Sequence, residues 1–329
     1  MTSVPLVDPF GRTVRDLRIS ITDRCNFRCS YCMPEEGMRW LPRAEILSFE
    51  EITRVARVCV ERFGFDGIRL TGGEPTVRSH LPVLVEKLAA LGVDLALTTN
   101  GTKLRHLAHD LKAAGLRRIN ISIDSLRRER FLALTRRDEL DTVLDGIDAA
   151  LEAGFEPVKV NVVLLRGVND DEIIDIVDLG RAKGFEPRFI EFMPLDADQS
   201  WGADKVVPAA EVVAAINAVH PLEAVDGRGS APASTYRYRD GGGQVGVIAS
   251  VTEQFCGSCD RVRMTAEGQF RNCLFAVEET DLRSILRTGG TDDDLANAIG
   301  TDVSHKWAGH SIGQVTFLRP DRSMSQIGG

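Results

Sequence analysis

Thr22-Asp23-Arg24-Cys25-Asn26-Phe27-Arg28-Cys29-Ser30-Tyr31-Cys32-Met33-Pro34 sets three cysteines in a C-x3-C-x2-C run. Just before it, Leu17, Ile19 and Ile21 alternate with Arg18, Ser20 and Thr22, a period-two pattern that predicts a first strand running into the cysteine loop. Thiolates this close need no disulfide staple and point to a metal or iron-sulfur site. Their number is informative, because a four-iron cluster held by three cysteines keeps one iron open to a substrate or cofactor. A zinc knuckle is the ordinary alternative, but zinc usually takes four protein ligands and no histidine is near in sequence.

Downstream of the loop the chain alternates strand and helix. Ser48 with Glu51 makes a capping box, and Ile52, Val55, Cys59 and Phe63 share one helical face before Gly64. Cys59 is therefore expected in packed core, as a small hydrophobe. Strands are predicted at residues 67–71, 94–99, 118–124, 158–165 and 187–193, with helices at about 80–91, 104–114, 141–153 and 170–183. Gly64, Gly92, Gly115, Gly154 and Gly184 each follow a helix, where a left-handed closing residue is wanted.

With the first strand, these make six strand-helix units, which predict an α/β fold of parallel strands, a partial (β/α)6 barrel short of the eight units that close one. The strand ends are polar: Cys25, Gly72-Gly73-Glu74, Thr98-Thr99-Asn100, Ser122-Ile123-Asp124, Asn161 and Glu191-Phe192-Met193. One shared pocket at those ends is the economical expectation.

After Met193 the pattern changes. A helix is predicted over 208–219, a Gly/Pro/Ser linker over 226–233, and a hairpin around Gly241-Gly242-Gly243. A division at 225/226 follows, into the barrel (1–225) and a C-terminal extension (226–329) with the hairpin and a second triad, Cys256, Cys259 and Cys273. On spacing alone that triad fits either another three-cysteine cluster or a degenerate zinc site completed by His305 or His310. Asp260-Arg261-Val262-Arg263 follows at once, and arginine forks there suit a phosphate-bearing ligand.

At 329 residues the chain can bury a large core. Its 40 basic and 48 acidic residues give a net charge of -8, which argues against broad binding to nucleic acid or anionic membrane. No long apolar run or signal peptide is visible, so a cytoplasmic protein is expected.

The first triad with Tyr31, and Gly72-Gly73-Glu74-Pro75 after a strand, resemble the radical S-adenosylmethionine superfamily. Within it, the run 22–34, Ile68-Arg69-Leu70-Thr71-Gly72-Gly73-Glu74-Pro75, Leu97-Thr98-Thr99-Asn100-Gly101, Arg188-Phe189-Ile190-Glu191-Phe192-Met193, the second triad and the Gly-Gly end are similar to the GTP 3',8-cyclase family of molybdenum-cofactor biosynthesis over essentially the whole chain. The resemblance implies two 4Fe-4S clusters, on Cys25, Cys29 and Cys32 and on Cys256, Cys259 and Cys273. It implies S-adenosylmethionine contacts from Tyr31, Gly73, Ser122 and Met193, and GTP contacts from Arg18, Arg69, Thr98, Lys159, Arg261, Val262 and Arg263.

Catalytic parts are implied for the first triad, Arg261, Arg263 and the tail residues Gly328 and Gly329, although a Gly-Gly end is ordinarily a frayed terminus. The activity implied is conversion of GTP to 3',8-cyclo-7,8-dihydro-GTP by a 5'-deoxyadenosyl radical that takes the ribose C3' hydrogen. Implied partners are an electron donor, a second copy of the chain as a homodimer, and cyclic pyranopterin monophosphate synthase as recipient of the product. Two rivals stand beside this reading: another two-cluster enzyme of the superfamily, such as a peptide modifier, and a non-catalytic iron-sulfur or zinc protein.

Overall fold

The structure is a computed structural model that describes residues 3–196, 198–315 and 317–328. A short hairpin, β1 (Leu6–Val7) and β2 (Thr13–Val14), precedes the first long strand. The core alternation then runs β3 (Asp16–Ser20), α1 (Phe49–Phe63), β4 (Gly67–Thr71), α2 (Leu81–Ala89), β5 (Asp94–Thr99), α3 (Leu104–Ala113), β6 (Arg118–Ser122), α4 (Arg128–Thr135), α5 (Leu140–Glu152), β7 (Val158–Leu164), α6 (Ile173–Lys183) and β8 (Glu186–Glu191). Each strand pairs in parallel with the next, as right-handed βαβ crossovers require.

Local chemistry explains the element ends. The Ser48–Glu51 capping box forms as expected, and Gly64 closes α1 in the left-handed region at φ 73°. Cys59 is fully buried in the main core with Leu17, Ile19, Ile52, Leu70 and Leu97.

The C-terminal third adds α7 (Ala209–Val219), β9 (Leu222–Val225), β10 (Ser234–Tyr238), β11 (Gln244–Ile248), β12 (Arg261–Met264), β13 (Gln269–Arg271), β14 (Thr280–Asp281), α8 (Leu282–Arg287), α9 (Asp292–Ser304) and α10 (Met324–Ile327). The expected hairpin is β10–β11, but it does not stand apart. It joins β8 in parallel through β11, while β12 joins β3 in parallel at the opposite edge. One 12-stranded sheet results, in the order β14-β13-β12-β3-β4-β5-β6-β7-β8-β11-β10-β9. The six expected parallel strands are thus flanked by a seventh and an eighth, and the sheet curls without closing into a barrel.

This topology makes the site. Strand alternation sends Val262 into the core while Arg261 and Arg263 face the concave side, where strands β3 to β8 also deliver their C-terminal loops.

Candidate active site

A single cavity of about 330 Å³ occupies the concave side, and both cysteine triads open onto it. Its wall includes Arg18, Cys25, Cys29, Tyr31, Cys32, Arg69, Gly73, Thr98, Ser122, Met193, Cys256, Cys259, Arg261, Arg263 and Cys273. Of the candidate site residues singled out from sequence, Val262, Lys159, Gly328 and His305 are not on that wall. The Val262 side chain is fully buried on the other face of β12. Lys159 lies on β7 beside Glu186, with its Nζ 3.8 Å from that carboxylate. Gly329 lies outside the described residues.

The two glycines of Gly72-Gly73-Glu74 are explained by packing against the cysteine loop. A Cβ on Gly73 would stand 2.3 Å from the Arg24 carbonyl oxygen. The loops are stitched together by Gly73 N–H to Thr22 O (2.8 Å) and Glu74 N–H to Arg24 O (2.7 Å). Only a residue without a side chain permits that approach. Glu74, fully buried, accepts from Thr76 N (3.0 Å), Thr76 Oγ1 (2.5 Å), Thr99 Oγ1 (2.6 Å) and Asn100 N (2.6 Å). Its carboxylate therefore ties the loop after β4 to the loop after β5.

All seven cysteines are free thiols. Burial pushes Cys25 and Cys32 up to about 12, and Cys29 rises for the same reason. Neighbouring carboxylates add to this, Glu74 at Cys25 and Asp124 at Cys29. Asp124 is itself lifted by burial to about 6, although it accepts from Tyr31 Oη (2.6 Å) and Val163 N (2.8 Å). In the second triad burial again raises Cys256. Cys259 is lowered instead: burial opposes this, but Arg261 and Lys306 outweigh it.

The cavity carries more positive charge than its own carboxylates match. Arg18, Arg69, Arg188, Arg261 and Arg263 line it. Arg263 is fully buried and drawn well below the usual range by that burial and by Arg18 and Arg261. Lys159, just behind the wall, is lowered to about 8 by burial and by Arg188. Buried polar atoms without a protein partner include Arg18 Nε, Arg69 Nε, Asn161 Oδ1, Arg261 Nη2 and His310 Nδ1, all on cavity-wall residues. Buried polar groups are normally paired, so these orphans fit a polar occupant whose anionic part meets the guanidinium donors and whose donors meet Asn161 Oδ1.

The C-terminal tail reaches into the same place. Met324 N–H donates to Leu195 O (3.1 Å), and Arg319 pairs with Asp196 (3.1 Å). Arg322 pairs with Glu267 (2.5 Å) and Glu279 (2.6 Å). Ser325 lines the cavity beside Cys32, and the Gly328 carbonyl accepts from Arg263 Nη1. A Cβ on Gly328 would crowd Thr71 Oγ1, and its φ of 84° also favours glycine, so any side chain there would have to displace Thr71.

Two site residues were not assigned a role from sequence. Arg188 sat in a quoted motif, and the alternation of β8, with Phe189 in the core, would have marked it. Phe255, whose ring lies 5.1 Å from the Arg261 guanidinium, carries no local sequence signal, whereas His310, weighed from sequence as a fourth donor to the second triad, stands on the cavity wall 4.9 Å from Phe275.

Comparison with known proteins shows the family. Residues 19–180 match the Radical SAM superfamily and residues 185–312 match Molybdenum Cofactor Synthesis C. The chain is 48% identical over 98% of its length, and 96% of the relative's, to a GTP 3',8-cyclase of Streptomyces coelicolor. It is 47% identical to another from Corynebacterium glutamicum, covering 98% of this chain and 89% of that one. Among solved structures, Streptococcus suis SuiB resembles it with a TM-score of 0.61 at 13% identity, over 88% of this chain and 67% of that one. Methylornithine synthase does so with a TM-score of 0.50 at 17% identity, over 63% and 62%. These two likenesses show the fold alone. The fit of two free thiol triads to one cation-lined cavity agrees with iron-sulfur clusters and S-adenosylmethionine as cofactors. The chain belongs to the GTP 3',8-cyclase family of radical S-adenosylmethionine enzymes, which acts in molybdenum-cofactor biosynthesis.

Proposed function

We propose that this chain converts GTP to 3',8-cyclo-7,8-dihydro-GTP, with a 5'-deoxyadenosyl radical taking the ribose C3' hydrogen and the sugar radical closing onto C8 of guanine. The observation that carries the reading is the placement of two three-thiol sets on one cavity whose wall also holds Arg18, Arg69, Arg188, Arg261 and Arg263. Bound at the first triad, the cluster supplies the electron that splits the sulfonium bond of S-adenosylmethionine.

The protein's share is positioning. Cys25, Cys29 and Cys32 hold the first cluster, and Cys256, Cys259 and Cys273 the second, at which the guanine docks. Tyr31, Gly73, Ser122 and Met193 contact S-adenosylmethionine. Arg18, Arg69, Thr98, Lys159, Arg261 and Arg263 take GTP, with Val262 between the last two offering no more than its backbone, and the guanidinium forks match phosphate oxygens two at a time. Gly328, with Gly329 beyond it, holds Arg263 at its carbonyl and so sets one fork against the substrate.

In this reading residues 1–225 generate the radical and 226–329 select the substrate, although the two share one sheet. An electron donor, a homodimer, hand-off to cyclic pyranopterin monophosphate synthase and a cytoplasmic location complete the proposal. Among the described residues no helix is long and apolar enough to cross a membrane.

The test is anaerobic turnover of reconstituted, reduced protein with S-adenosylmethionine and GTP deuterated at C3'. Deuterium should appear in 5'-deoxyadenosine, formed in step with cyclised nucleotide. Unlabelled 5'-deoxyadenosine beside cyclised product would sink the C3' assignment, and GTP-independent turnover with no nucleotide product would sink the substrate.

A further inference from the structure

Behind the second triad, away from the cavity wall, two cations grip its backbone. Arg12, from the β1–β2 hairpin, donates to Cys256 O (2.7 Å), Ala308 O (2.8 Å) and Trp307 O (2.5 Å). Its charge is matched, because Asp8 lies 2.5 Å from its Nε. Lys306 follows α9 and is 3% exposed. Its Nζ donates to Arg261 O (2.7 Å) and to Asn272 O. Arg261 is two residues beyond Cys259 and Asn272 immediately precedes Cys273, so a single ammonium joins the two segments that carry these ligands.

Lys306 differs from Arg12 in one respect. Among the described residues no carboxylate lies within salt-bridge distance of its Nζ. Asp302, one helical turn back, instead accepts from Thr280 Oγ1 (2.7 Å), and its carbonyl accepts from Asn272 Nδ2 (2.9 Å). Buried lysines are ordinarily paired, since carbonyl dipoles alone do not replace the lost hydration of an ammonium. Asp302 feels this charge without pairing to it, and the thiol that feels it is Cys259. The bound form of the triad would be anionic, because three thiolates on a dipositive four-iron core leave a net negative charge, and reduction adds to it.

We propose that Lys306 is the positioning and charge-compensating residue of the second triad, a buried cation whose counter-charge is the cluster held by Cys256, Cys259 and Cys273. This rests on the reading of those cysteines as cluster ligands. Two consequences separate it from a lysine that merely braces the fold. Removing the charge makes the second cluster harder to reduce, and destabilises the loaded protein more than the iron-free protein.

The experiment compares wild type, Lys306→Met and Lys306→Arg after iron and sulfide reconstitution. It reads the midpoint potential of each cluster by electron paramagnetic resonance, the rate of iron loss to a chelator, and the melting temperature with and without iron. In Lys306→Met the second cluster's potential should fall and its iron should leave about ten- to a hundred-fold faster, the usual scale for a lost outer-sphere partner. The first cluster and its GTP-independent cleavage of S-adenosylmethionine should be unchanged, and Lys306→Arg should restore the potential. Potentials and iron-loss rates equal to wild type, or the same melting-temperature loss with and without iron, would overturn the role of Lys306. A wild-type protein that loads iron at the first triad alone would overturn the cluster reading instead. If Lys306→Met does not accumulate in soluble form, Lys306→Gln keeps a donor without the charge and is held to the same outcomes.

Discussion

Around Cys25, Cys29 and Cys32 the buried charged neighbours are the carboxyls of Glu74 and Asp124, opposed at Cys25 by the less buried Arg28 and Arg137, whereas around Cys256, Cys259 and Cys273 they are Arg261, Lys306 and the Asp8-paired Arg12. The same three-thiol chemistry is thus set in opposite fields across one cavity. Acidic surroundings oppose the arrival of an electron, so a cluster held by the first triad would be a strong reductant once reduced, as cleavage of a sulfonium demands. Basic surroundings welcome anions, so in the proposed reading the guanidinium groups flanking the second triad would receive the triphosphate while the guanine docks at the triad itself. The tail belongs to both ends, with Ser325 beside Cys32 and Gly328 on Arg263.

The largest effect that separates the ends comes from the cysteines. Cys29→Ala should abolish 5'-deoxyadenosine formation with and without GTP, whereas Cys256→Ala should keep GTP-independent cleavage and lose cyclisation. Chromatography of both products checks this, and cyclisation by Cys256→Ala at the wild-type rate would erase the distinction.

A smaller effect is expected at the fork held by the tail. Arg263→Lys keeps a charge but not the geometry that lets one group reach both the Gly328 carbonyl and a phosphate. Losing one charge-assisted hydrogen bond costs about 1.5–3 kcal/mol, roughly ten- to a hundred-fold in kcat/KM for GTP. S-adenosylmethionine affinity should not change. Equal losses for both substrates would place Arg263 in the general scaffold.

The smallest concerns Lys159, whose pKa is lowered to about 8 by burial and Arg188. A polyanion beside it favours the charged form, so GTP binding near pH 8.5 should take up protons. Titration calorimetry in buffers of different ionisation enthalpy would detect the uptake, and Lys159→Met should remove it while weakening GTP only several-fold. The sign for stability follows: the folded state holds this proton less tightly than the unfolded chain. Charged Lys159 therefore disfavours the fold below about pH 8, and the cost fades as pH rises from 8 toward 10.5. No proton uptake in wild type would remove Lys159 from the triphosphate end.

Much of this was legible beforehand. The six strand-helix units follow from apolar periodicity, the Ser48–Glu51 box and glycines such as Gly64, all signals contained within a few residues. The three-thiol sets were legible from spacing alone. Val262 shows the limit, because naming the run Arg261 to Arg263 does not say that strand alternation turns its middle member into the core. The hairpin at Gly241 was visible, but its pairing with β8 was not, since an edge strand's partner is chosen by packing rather than by its own pattern. Glu74 and Lys306 read as ordinary charged residues until their carbonyl and amide partners are seen.

By itself, then, the sequence determined the alternation of elements, their ends, and the two sets of thiols with the family they indicate, because each depends on residues near one another along the chain. Only the tertiary structure decided that the sets share a cavity, that the tail stands 293 residues from Cys32 in sequence yet beside it in space, and that carboxyls surround one set and cations the other. Those are consequences of long-range strand pairing and of burial, which decide where each charge stands and what is left to balance it.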